Sequence, residues 1–107
     1  MPIFAVLRSR GPAWDDARAL DEQQEWRAHA DFMDALYDEG FALLVGPLEG
    51  TREALLIVRA SDAEEVRKRL ARDPWSGHLL TTTQIARWTL RLGSLDRSSP
   101  PGSRKPR

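Results

Sequence analysis

The residue pattern predicts an α+β chain: a ferredoxin-like βαββαβ unit, with a four-stranded antiparallel sheet and two helices on one of its faces. Three observations predict it. Apolar, β-prone runs recur at residues 3–7, 41–45 and 54–58, and an alternating run follows at 82–92. Two polar, helix-favouring segments with apolar stripes lie before residue 40 and after residue 60. Glycine and proline punctuate the junctions, at Gly40, Gly46-Pro47 and Asp73-Pro74.

Residues 3–7 (IFAVL) read as the first strand, ended by the charge of Arg8. Residues 9–21 contain Gly11-Pro12 and Trp14-Asp15-Asp16 and read as a loop or broken turn. Residues 22–39 are the strongest helix. Their Gln, Glu, Arg and Ala content favours it, and Gly40 stands where a C′ residue ends one. Trp26, His29, Met33 and Leu36 share its core-facing stripe. Residues 41–45 read as the second strand, 48–52 as a hairpin turn around Gly50, and 54–58 (ALLIV) as the third strand.

Ser61-Asp62-Ala63-Glu64 has the capping-box pattern, with the serine hydroxyl accepting the Glu64 N–H and the glutamate reaching back to Ser61. The second helix is expected to run to about Arg72, with Val66 and Leu70 inward, until Asp73-Pro74 stops it. Residues 75–80 connect it to the last strand. In residues 82–92, Ala86, Trp88, Leu90 and Leu92 are expected on one face, and Arg87, Thr89 and Arg91 on a wet one. Residues 1–92 make one domain, and the Ser, Pro and Gly-rich residues 93–107 are expected to be a disordered basic tail.

The bulk composition excludes several classes. Lys+Arg and Asp+Glu balance at 16 each, so no nucleic-acid partner is expected. There is no cysteine, hence no disulfide and no thiolate nucleophile or ligand. No apolar run approaches the roughly 18 residues of a membrane span, and the first residues lack the pattern of a signal peptide, so a cytoplasmic protein is expected. Two histidines without cysteine are too thin a ligand set for a metal site. No glycine pattern resembles a phosphate loop, so no nucleotide is expected, and the expectation is of a protein without a cofactor.

His29 is the residue that bears on function. A histidine on an apolar stripe must be satisfied by a hydrogen bond or do chemistry at the edge of a cavity. His78, in the connection before the last strand, reads as a solvated loop histidine. Of four tryptophans, Trp26 and Trp88 read as packing, whereas Trp14 and Trp75 lie in loops and are candidates for a pocket wall or lid. Gly46-Pro47 reads either as a stiff turn that needs glycine's dihedral freedom or as a wall that lets a ligand approach the backbone. Three strands are apolar on both faces while two helices cover only one, so a second copy of the chain is expected to cover the other, with a small molecule as the further partner.

Trp26-Arg27-Ala28-His29, Asp38-Glu39-Gly40-Phe41, Gly46-Pro47-Leu48-Glu49-Gly50 and Arg72-Asp73-Pro74-Trp75 occur here in the order and spacing of the YCII-related family. The chain resembles that family over residues 1–92. The resemblance implies a ferredoxin-like domain that pairs into a dimeric α/β barrel. It also implies an active site around a His–Asp pair, carried here by His29 and Asp73. Most members have no assigned reaction. One relative is a dehydrochlorinase acting on a chlorinated hydroxyquinol, and the wider superfamily includes muconolactone isomerases and small monooxygenases. The chain departs from the pattern at Trp26, where the family has arginine three residues before the histidine, and in lacking the terminal "rPw". The expectation is therefore a small cofactor-independent lyase or isomerase working on a cyclic or carbonyl compound, with His29 and Asp73 catalytic and Gly46, Pro47, Trp14 and Trp75 against the substrate. The alternative is a non-catalytic dimeric ligand-binding or accessory domain in which the pair is structural.

Overall fold

The computed structural model describes residues 1–95. The elements run β1 (Ile3–Arg10), α1 (Trp26–Asp38), β2 (Ala42–Pro47), β3 (Glu53–Arg59), α2 (Ala63–Leu70) and β4 (Leu80–Arg87), with a short 3-10 turn at Leu20–Glu22. The strands form one antiparallel sheet in the order β2-β3-β1-β4. That is the interleaved arrangement of a ferredoxin-like fold. The tail expected at 93–107 lies mostly outside the described residues.

The pleat sorts the strands into two faces. Phe4 and Val6 of β1 pair with Val58 and Leu56 of β3 and turn toward the helices. Leu36 of α1 joins them in the same buried cluster as Val66 and Leu70 of α2, so both helices lie on this face. Burying a side chain of that size stabilises by about 1.5–3 kcal/mol. Ala5, Leu7, Leu55 and Ala86 occupy the opposite face, with Leu44 beside them, away from the two helices of the described residues.

Several boundaries move for identifiable reasons. β1 does not stop at Arg8. It continues to Arg10, because Arg8 falls in the inward alternation after Phe4 and Val6 and both neighbouring strands still pair there. α1 begins at Trp26 rather than residue 22. Just before it, Gln23 is buried and its side chain is committed to the preceding loop, while Glu25 takes a left-handed φ of 59°. The end of α1 is as expected. Gly40 has φ 84° and its N–H bonds Tyr37 O at 3.0 Å, while Phe41 N reaches Leu36 O at 3.0 Å, a Schellman closure.

The α2 cap lies one residue later than the sequence suggests. Asp62, not Ser61, accepts the N–H of Glu65 at 2.8 Å, and Glu65 Oε1 accepts from both N and Oγ of Ser61 at 2.8 Å. Those two bonds, the backbone one first, hold the Glu65 carboxyl below its ordinary pKa. The helix ends at Leu70, not near Arg72.

β4 is Leu80–Arg87 rather than 82–92, and a bulge between Leu7 and Arg8 shifts its register. Ile85, opposite Val6, therefore packs on the core, while Trp88 and Leu92 lie beyond the strand and are exposed. Among the described residues no helix is long and apolar enough to cross a membrane.

Candidate functional site

The site begins with an Asp-Pro turn. After α2, Asp73 N bonds Leu70 O at 3.1 Å, and Asp73 Oδ1 accepts the Trp75 N–H at 3.0 Å, an Asx turn over Pro74. This turn aims the carboxylate back at the sheet and at α1. There it meets His29, one helical turn into α1, whose Nδ1 lies 2.8 Å from Oδ1 and 2.9 Å from Oδ2. With Asp73 ionised, Nδ1–H donates and Nε2 carries the lone pair.

A third group completes the cluster. Arg8 Nη1 donates to Asp73 Oδ2 at 2.7 Å. Both side chains are fully enclosed, and the His29 side chain is 11 % exposed. Burial works against the Asp73 charge. The bonds from His29, the Trp75 amide and Arg8 outweigh it and hold the carboxyl below the usual aspartate range.

Aromatic rings fix the imidazole plane. Trp75 is fully buried and stacks on His29, with centroids 3.8 Å apart and planes 5° from parallel. Its Nε1–H donates to Gln24 O at 2.6 Å. Trp26 packs tilted against both rings at 5.9 Å, and Trp14 meets Trp75 edge-on at 5.6 Å. An indole face orients an imidazole and tolerates positive charge on it.

The loop between β1 and α1 closes over this cluster. Gln23 Nε2 donates to Asp15 O at 2.7 Å and to Arg18 O at 3.0 Å, and its Oε1 accepts from Asp15 N at 3.0 Å. Gly11 N and Ala13 N bond Leu79 O and His78 O at 2.8 and 3.0 Å. A Cβ on Gly11 would lie 2.3 Å from His78 O, so only glycine allows the approach that seats Trp14 on Trp75.

Beneath the loop is a cavity of about 170 Å³ that includes His29, Arg8, Trp14, Trp75, Gly46 and Pro47 in its wall. His29 Nε2 has no hydrogen bond within the protein among the described residues and is not one of its buried unpartnered atoms.

No family model, curated protein or solved structure matches this chain.

The structure brings His29 into bonding contact with Asp73 and gathers Trp14, Trp75, Gly46 and Pro47 around the same cavity. Trp75 does not lie in an open loop: it is buried behind His29. Gly46 and Pro47 do not form a turn either. Both lie within β2, an edge strand that tolerates proline. Gly46 lacks a positive φ, and a Cβ there would meet nothing within 4 Å. His78 contributes its carbonyl to the loop and is not part of the cavity wall. Arg87 and Arg91 are not in the wall, and no cluster of three or more metal-type ligands occurs among the described residues.

Two residues of the site escaped the sequence analysis. Arg8 was legible only as the third member of the Phe4, Val6, Arg8 alternation. Gln23, placed inside a longer helix, carried no local signal for its role.

Proposed function

We propose that this protein is a small cofactor-independent enzyme, a lyase or isomerase that moves a proton on a small cyclic or carbonyl compound, and that it belongs with the YCII-related proteins. One observation carries the reading. His29 is bonded through Nδ1 to an enclosed, ionised Asp73, and the same ring forms part of a cavity wall. Such a pair is an oriented general base whose protonated form is stabilised by the adjacent carboxylate.

In the proposed step, Nε2 takes a proton from carbon next to a carbonyl and the C–H electron pair moves toward the carbonyl oxygen. An isomerase returns that proton at another carbon. A lyase keeps it on His29 while a leaving group departs with its bonding pair. Throughout, Nδ1–H stays on Asp73, and Trp75 keeps the ring in plane.

Deuterium incorporation from D2O into a panel of small cyclic ketones, lactones and ring keto acids, followed by NMR, tests this reading. Exchange at the carbon next to the carbonyl is expected, and His29→Gln should slow it about a hundredfold or more while the circular dichroism is unchanged. Exchange that is absent across the panel, or indifferent to His29→Gln, makes the pair structural and leaves the non-catalytic binding domain in its place.

The reading takes a second copy of the chain as the cover of the open sheet face, supported by Ala5, Leu7, Leu55 and Ala86 there and by Leu44, which is 56 % exposed. A sedimentation mass of one chain at micromolar concentration would remove the dimer. A chain without cysteine has no disulfide to form, and the cytoplasm is the compartment the reading assumes.

A further inference from the structure

We infer that the cavity binds a small carboxylate, a single-ring or branched acid whose carboxylate is held by Arg8 and whose body lies against apolar side chains. The inference rests on the acid–base reading only for what happens next to the carboxylate. The binding site itself stands on separate observations.

The first is Arg8. It is 1 % exposed, and a guanidinium carries five N–H donors. Only Nη1 has a partner, Asp73, while Nε and Nη2 are buried with none among the described residues. Native proteins seldom leave such donors unmet, because the desolvation cost of an orphaned charged donor is high. Asp73 does not serve them: its oxygens meet Nη1, His29 and the Trp75 amide. Arg8 is also part of the cavity wall, with Nε and Nη2 set just behind its surface, so an oxygen pair from the cavity becomes the partner of this edge once the wall yields to it. The bulge beside Arg8, where Thr83 is the extra residue of β4, lies where such irregularities re-aim a side chain.

The second is the charge of the cluster and its wall. Arg8 and Asp73 neutralise each other, and the other charged members of the wall, Arg10 and Arg52 against Glu53, are balanced by Asp16 of the loop, 2.8 Å from Arg52 and 4.0 Å from Arg10. The wall therefore offers no diffuse positive field for a highly charged ligand, and its unmet buried donors are those of the Nε and Nη2 edge of Arg8.

The third is size and lining. A cavity of about 170 Å³ is slightly larger than the ~150 Å³ that suffices for benzene in an apolar protein interior. Trp14, Leu20, Met33, Val45, Leu56 and Leu80 supply the surface for an apolar ring or branched chain. A phosphorylated or multiply charged ligand would strand charge on that surface; a monocarboxylate has one charge for Arg8 and an uncharged remainder.

Tryptophan fluorescence and calorimetric titration of the full chain test the site, with benzoate and cyclohexanecarboxylate as probes and benzamide and cyclohexanecarboxamide as neutral isosteres. Each carboxylate is expected to bind at least about tenfold more tightly than its amide. Arg8→Lys keeps a cation for Asp73 but lacks the free edge, and should weaken carboxylate binding roughly ten- to a hundredfold with amide binding unchanged. A readout on the unaltered protein guards against a variant that misfolds: benzoate should shift the Arg8 Nε–H resonance, and benzamide should not.

Equal affinity for acid and amide, no binding of either carboxylate, or an Arg8 resonance indifferent to benzoate overturns the proposal. The two readings fail separately. Selective carboxylate binding without deuterium exchange removes the enzyme and keeps the site. Exchange confined to uncharged carbonyl compounds keeps the enzyme and removes the carboxylate site.

Discussion

The two helices begin in opposite ways. α2 follows the local rules: Asp62 caps it, Glu65 closes the reciprocal bond to Ser61, and acidic residues fill its first turn. α1 breaks them. Its N-cap, Glu25, makes no side-chain cap and sits at φ 59°, a conformation that costs an L-residue about 1–2 kcal/mol. Two of the four buried polar residues among the described ones, Gln23 and His29, lie in or beside its first turn, and of the other two Asp73 bonds His29 from across the fold while Arg8 bonds Asp73. Strain and buried polarity coincide at the end of the molecule that carries the cavity, whereas the end that obeys local propensity carries only solvated charge. Local irregularity of this kind persists when tertiary contacts hold it in place, and it marks where chemistry is built.

The largest effect expected from breaking the α1 end is that of Asp73→Ala. It leaves Arg8 buried without a counter-charge and His29 without its acceptor, and should cost about 3–5 kcal/mol in urea denaturation. A loss under 1 kcal/mol would mean that Asp73 does little to hold His29 of α1 and Arg8 of β1 in place.

Acid should act on the same end. The Asp73 carboxyl titrates below its ordinary value in the folded protein. The stability it contributes is therefore complete above the usual aspartate pKa, about 3.9, and is lost as pH falls below that value through the lowered one. Denaturation midpoints measured from pH 6 downward should fall in the intact chain and flatten in Asp73→Ala.

Gln23→Ala should do less, about 1–3 kcal/mol, because the loop carbonyls it serves can turn to water. Its signature is local. The Asp15 amide should exchange with deuterium faster while the sheet amides do not, and an unchanged Asp15 rate would show that Gln23 does not hold the loop.

At the regular end, Asp62→Ala should cost about 1 kcal/mol and leave the His29 NMR signals where they were. A His29 shift in that variant would couple the two helix starts and dissolve the contrast between them.

Much of the fold was readable along the chain. Val66 and Leu70 are buried as their spacing requires, Gly40 ends α1 as a left-handed C′ residue, and the pairing order follows from the element order. The misreadings share one cause, which is reliance on chemical type where partners decided. Arg8 looked like a strand terminator because an unpaired arginine does not enter a core; paired with Asp73, 65 positions away, it does. Gln23 looked helical because its propensity is helical, but four hydrogen bonds to the loop outweigh a preference of a few tenths of a kcal/mol. β4 was shifted because nothing in its own sequence announces the bulge at Thr83.

The amino-acid order by itself determined that this chain makes a βαββαβ sheet with one helix-covered face, because alternation, stripe and turn chemistry act over a few residues. It also singled out His29 as a polar residue on an apolar stripe. Only the tertiary structure decided what His29 is bonded to, that Arg8 lies buried beside Asp73 with donors unmet, and that Trp75 stacks on the imidazole rather than facing solvent. Those facts join residues 8, 29, 73 and 75, whose mutual distance and desolvation exist only after the chain has closed on itself.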